Sequence, residues 1–121
     1  MHRLAAAIIL AMALNADWAV AEGICDFLVN QPKSATVSGV IVRGPWKIGP
    51  GGGFKYGMEL EDKAEGSCGF GFRQQVMVFT NQSIAKCNLG REATAIGPGK
   101  LQWAPPGIPV YNMNGAKVKC Q

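Results

Sequence analysis

The chain predicts an all-β domain, a five-stranded Greek-key barrel with a short helical link and two disulfides, and three observations carry that expectation. One is a β-branched, uncharged run from Ala35 to Val42; another is a strict apolar and polar alternation from Phe54 to Asp62. The third is punctuation. The chain has 16 glycines and 7 prolines in 121 residues, and they cut the apolar runs into lengths that suit strands and are too short for most helices.

Residues 1–21 read as an export signal, to be left out of the fold. His2 and Arg3 make a polar, positive start, Leu4 to Leu14 is an apolar run of signal length, and Ala19-Val20-Ala21 is a small-x-small cleavage pattern. The apolar run is too short to span a bilayer. A mature chain from Glu22 to Gln121 follows, 100 residues long, enough for one domain with one core. Its formal charge stays at +4, because the signal removes one Arg and one Asp, and so mild a bias does not argue for nucleic acid. The signal also carries away the single histidine, and with it imidazole as a base, zinc ligand or pH switch. All four cysteines, Cys25, Cys68, Cys87 and Cys120, remain, and an even number in a small exported domain implies two disulfides with three possible connectivities. No C-x-x-C pair is present to suggest zinc or redox chemistry.

The elements then follow in order. Glu22 to Ser34 is irregular and holds Cys25. Ala35 to Gly44 is a first strand with a bend or bulge expected at Gly39. Gly44 to Gly53 carries enough glycine and proline to predict an irregular loop. Phe54 to Asp62 is a half-buried strand, with Phe54, Tyr56, Met58 and Leu60 on one face and Lys55, Gly57, Glu59 and Glu61 on the other. Lys63 to Ser67 is a polar turn before Cys68. Gly69 to Thr80 is a third strand broken near Arg73-Gln74-Gln75, and Asn81 to Asn88 is the candidate helix, with Asn81 as its N-cap. A fourth strand opens at Leu89 to Gly97 and resumes at Lys100 to Trp103 beyond Pro98-Gly99. Val110 to Met113 and Ala116 to Cys120 make a last strand or hairpin around an Asn114-Gly115 turn.

Five strands with a short helical link between the third and fourth is the order of the OB-fold. The segments Thr36-Val37-Ser38-Gly39-Val40, Tyr56 to Leu60, and Leu89-Gly90-Arg91 before a strand ending at Gly97 resemble the small exported OB-fold families of bacteria. What the resemblance implies is a barrel and an exported location. In such a barrel the approach to strand one lies near the link between strands two and three, which favours Cys25 with Cys68. Strands three and five run side by side in the same direction, which favours Cys87 with Cys120.

No enzyme is expected. Glu59 and Glu61 would lie about 6.5 to 7 Å apart on one strand face, a spacing compatible with paired catalytic carboxylates, but a solvated outer face accounts for them better. Glu59, Glu61, Asp62 and Glu65 lack the ligand spacing of a calcium loop, and the serines lack a nucleophile elbow, so no metal or cofactor is expected. A binding role is better supported. OB domains bind across strands two and three between two flanking loops, and those loops carry Trp46 with Lys47, and Trp103, while Lys55 and Arg73 flank the face. Aromatic rings with a few cations suit an oligosaccharide, a polyanion or an envelope protein partner. The alternative is a structural or assembly protein, such as an oligomer resembling the receptor-binding subunits of bacterial toxins.

Overall fold

The computed structural model describes residues 21–62, 67–69 and 73–121. The strands are β1 (Ala21–Glu22), β2 (Lys33–Lys47), β3 (Tyr56–Asp62), β4 (Gln75–Thr80), β5 (Glu92–Ala104), β6 (Ile108–Asn114) and β7 (Lys117–Cys120). Among the described residues helix is confined to two single 3-10 turns, Ile24–Asp26 and Ser67–Gly69. Residues 1–20 of the expected export signal, the turn at 63–66, and Phe70 and Phe72 of the expected third strand lie outside the described residues.

The long first strand is the hub. Residues 33–40 of β2 pair antiparallel with β5, and residues 39–47 pair antiparallel with β3. β3 pairs antiparallel with β4, β4 parallel with β6, and β6 antiparallel with β5, so the pairings run in a ring back to β2. Alternate residues face inward and build the core: Val37 and Ile41, Met58 and Leu60, Val76 and Val78, Ala93 and Ala95, Tyr111 and Met113, all 3% exposed or less. The period of two is what lets each strand line one face with apolar side chains.

Gly39 lies where β2 passes from one neighbour to the other, opposite both Asp62 and Ala93. A Cβ there would run into the Glu61 carbonyl. The bend expected at Gly39 is therefore a close approach, and the bulges fall later, between Ile41 and Arg43 and between Arg43 and Trp46. Those bulges take up Gly44 and Pro45, where a missing N–H is tolerated, so β2 extends to Lys47 and the loop that was expected from Gly44 begins at Ile48.

Two further expectations are corrected, and one left with two alternatives is decided. Asn81 to Asn88 forms turns rather than a helix: Asn81 Oδ1 accepts from Lys55 N at 2.9 Å instead of capping, and Gln82 turns its amide to the Val118 backbone, donating to its O at 2.9 Å and accepting from its N at 3.0 Å. Strand four is continuous from Glu92 to Ala104, because Pro98 sits where the pairing of β5 passes from β7, ending at Ile96, to β6, beginning at Gly99. Of the last strand or hairpin expected around Asn114-Gly115, the structure shows one strand direction interrupted by a turn at Gly115: β6 and β7 are both antiparallel to β5, and Gly115 N and Ala116 N both donate to the Phe79 carbonyl, at 2.9 and 3.1 Å.

The disulfides are Cys25 to Cys68 and Cys87 to Cys120, each with Cα atoms 5.1 Å apart, as the barrel order implied. They close sequence separations of 43 and 33 residues. Replacing Cys87 and Cys120 together by alanine is expected to lower unfolding free energy by about 2–5 kcal/mol in denaturant titration. Gly39→Ala should cost at least about 2 kcal/mol in the same assay, whereas Gly49→Ala, whose Cβ would meet nothing within 4 Å, should stay within about 0.5 kcal/mol of wild type. Equal effects of the two glycine changes would remove the close approach as the reason for Gly39.

Candidate functional site

Because side chains alternate along a strand, the residues between the core positions of β3, β4 and β6 form an outer face. In register across it, Glu59 of β3 lies opposite Met77 of β4, which lies opposite Asn112 of β6. One step along, Gly57 lies opposite Phe79, which lies opposite Asn114. This face is hollowed into a groove of about 510 Å³, within the size range of small-molecule sites. Met77 and Phe79 contribute its apolar lining, Glu59 lines it from β3, Val110 and Asn112 line it from β6, and Arg73 to Gln75 line it where the chain enters β4.

The polar groups of the groove are unevenly satisfied. Asn112 Nδ2 donates to Gln102 Oε1 at 3.1 Å. The Glu59 side chain is 12% exposed, and its Oε1 lies 3.6 Å from Arg43 Nη1, an ionic contact too long for a hydrogen bond. That oxygen is closed off from solvent and accepts no hydrogen bond from the protein. Gln74 is 6% exposed, and its Nε2 is likewise buried with no partner. Its backbone is well anchored, the Gln74 carbonyl accepting from Asp62 N at 3.1 Å. Tyr111 is buried edge-on to Phe27, with ring centroids 6.1 Å apart, and burial pushes its phenol pKa up, so it stays neutral. Phe79 is backed by Phe54, stacked at 6.1 Å.

Among the residues expected to bind, Arg73 lines this groove, where its Nη1 also lies 3.9 Å from Glu61 Oε1. Trp46, Lys47, Lys55 and Trp103 do not line it. Trp46 belongs to β2 rather than to a loop, and its indole lies over Gly44 and Gly57, 3.2 Å from where a Cβ on Gly57 would stand. Trp103 belongs to β5, 49% exposed, with the strand parity of Leu101 rather than that of Gln102. Lys47 is exposed at the end of β2. Lys55 lines a separate hollow of about 520 Å³ around the glycine loop, equal in size but walled mainly by glycine and proline. Glu59 and Glu61 do share a strand face as expected, but neither is fully solvated, and each is drawn to an arginine. Phe54 stacks on the outward Phe79 and so does not share the inward face of Met58 and Leu60. Asp62 is buried and its Oδ2 accepts from Ile24 N at 3.2 Å. Among the described residues no three His, Cys, Asp or Glu side chains are grouped to hold a metal ion.

Gln74, Gln75, Met77, Phe79, Val110 and Asn112 were not expected. The signal for two of them was present: Val76-Met77-Val78-Phe79 is apolar at every position, so a strand there must show an apolar outer face as well as an inner one. Nothing in the local pattern marks Gln74 or Asn112, whose place in the groove depends on the pairing of β4 with β6 across more than 30 residues. Comparison of the chain with protein-family models, with curated proteins and with solved structures found no match.

Because its indole covers two glycines, Trp46→Ala is expected to lower stability by about 2–3 kcal/mol, whereas Trp103→Ala, half exposed, should change it by less than about 1 kcal/mol. Thermal and denaturant unfolding of the two variants checks this. The reverse order would show that Trp103, not Trp46, closes the end of the fold.

Proposed function

We propose that the protein is an exported, non-enzymatic binding module of the OB-fold type, whose ligand lies in the groove on β3, β4 and β6. The observation that carries this reading is the groove itself, an open hollow on a sheet face where apolar side chains meet the unmet carboxylate oxygen of Glu59. The barrel reading is supported by the order of pairings, in which the first, second, third, fifth and fourth long strands follow one another and return to the first. In OB barrels the outer face of the second and third strands is the usual binding surface, and here those strands are β3 and β4. Export is supported by the signal-like residues 1–21 and by two disulfides. No helix among the described residues is long and apolar enough to cross a membrane. A binding rather than a catalytic role is supported by the absence of histidine after residue 2 and by carboxylates held against arginines. No cofactor is needed for this role.

A second reading, an assembly or receptor-binding subunit, is favoured by one observation. Leu28, Val29, Trp103 and Ile108 are each between 43% and 55% exposed, and Val29 bridges directly to Leu101 of β5. Sedimentation of the mature protein separates the readings: a monomer is expected, and a stable oligomer that Trp103→Ala dissociates would favour assembly. Export is tested by the intact mass of the protein recovered after secretion, which should correspond to a chain starting at Glu22. For binding, groove signals such as those of Met77 and Phe79 should shift in nuclear magnetic resonance titrations with oligosaccharide, polyanion or peptide probes. Unmoved groove signals across all three classes would overturn the binding reading.

A further inference from the structure

Past Gly99 of β5 and Tyr111 of β6 the pairings with β2 and β4 end, and the two strands run on as a hairpin ribbon to a tip at Pro105-Pro106-Gly107. One short segment joins its outer edge: Leu101 N donates to the Leu28 carbonyl at 2.8 Å, and Asn30 N donates to the Leu101 carbonyl at 2.7 Å. The ribbon carries exposed apolar side chains on both faces. Ile108, 55% exposed, shares a face with its partner Ala104, and Trp103, 49% exposed, shares the other with its partner Pro109. Leu28 and Val29 beside it are exposed as well. The same region is without charge, since no Asp, Glu, Lys or Arg occurs in residues 27–32 or 101–116. Two cations stand where the ribbon leaves the ring, Lys33 opposite Gly99 and Lys100 opposite Asn112.

A second copy of the chain is a poor occupant for this ribbon. Four half-exposed apolar side chains offer about 400 Å², roughly half of what each partner of a stable interface buries, and a flat partner covers only one face. A lipid surface meets every feature. A tip that enters end-on has both faces covered at once, an uncharged stretch carries no ionic hydration to be lost, an indole suits the headgroup boundary, and lysines at the base reach anionic headgroups. Entry that stops at that boundary leaves the backbone groups of the turn in reach of water. We infer that the β5–β6 hairpin docks the protein tip-first on an anionic lipid bilayer, with Trp103, Ile108, Leu28 and Val29 entering the interface and Lys33 and Lys100 meeting its headgroups. None of these six residues lines the groove, so docking and groove binding are separate properties.

The test incubates the mature protein with vesicles of phosphatidylcholine alone and of equal parts phosphatidylcholine and phosphatidylglycerol, and separates bound from free protein by flotation. Binding to the anionic vesicles is expected, weaker on the neutral ones and reduced by added salt. On binding, tryptophan emission should move to shorter wavelength and become shielded from acrylamide, and Trp103→Ala should abolish that change. Trp103→Ala and Ile108→Ser should each weaken partition by roughly tenfold while keeping an unfolding midpoint close to wild type. Lys33→Gln combined with Lys100→Gln should remove most of the preference for anionic vesicles. Leu89→Ser alters a side chain 63% exposed just ahead of the opposite end of β5, and should leave partition unchanged. Absence of flotation with both vesicles would overturn the inference, and so would an equal loss in Leu89→Ser, which would mark unspecific adsorption of apolar surface. Equal binding to the two vesicles would overturn the role of the two lysines. A lipid-free dimer in sedimentation that Trp103→Ala dissociates would give the ribbon to a second copy and overturn the lipid surface as its occupant. Each of these results leaves the groove reading standing, because the groove is reported by Met77 and Phe79.

Discussion

A strand of fifteen residues that pairs with one neighbour along its first half and another along its second must bring three backbones together at its middle, and in β2 that point is Gly39. The missing Cβ admits the Glu61 carbonyl, and with it the end of β3. Everything downstream follows from the position of β3. Its register sets Met58 and Leu60 inward and Glu59 outward, its other edge takes β4 in register with Glu59 opposite Met77, and β4 then accepts β6. A shift of one residue in any of these pairings would exchange core and groove residues, because the side-chain period is two.

The disulfides secure what the sheet leaves loose. Cys25 to Cys68 ties the N-terminal 3-10 turn to the connection after β3, where Ile24 N also donates to Asp62 at 3.2 Å. Cys87 to Cys120 ties the turns after β4 to the last strand, beside the Gln82 amide that lies along the Val118 backbone. Each closure is worth about 3–4 kcal/mol in the chain-entropy model, against a total of about 5–15 kcal/mol for a domain of this kind. The link after β4 can therefore do without a helix. Residues 81–88 are held by one covalent bond, by side-chain amides and by Ile84 and Cys87 packed at the core, without a helix.

Strand identity was largely readable from the chain, because alternation and β-branched runs report burial on one face directly. Strand ends were not. Gly44-Pro45 and Pro98-Gly99 look like breaks in isolation, yet each falls where the partner strand changes or a bulge absorbs it, and that is knowledge of pairing rather than of local preference. The same limit explains the site. Trp46 and Trp103 stood out by residue type, but one lies flat over glycines of its own sheet and the other has the opposite strand parity to the groove. Gln74 and Asn112 carry no local mark, and the groove that both line exists only because β4 pairs with β6.

Among the described residues, the groove and the hollow around the glycine loop have nearly equal volumes, so size does not distinguish them. Chemistry does. Around the glycine loop the lining is mainly glycine and proline. In the groove apolar side chains face outward, and a carboxylate oxygen is buried among them without a hydrogen-bond donor. Local losses of that kind are expected where a surface is kept for a ligand rather than for the fold.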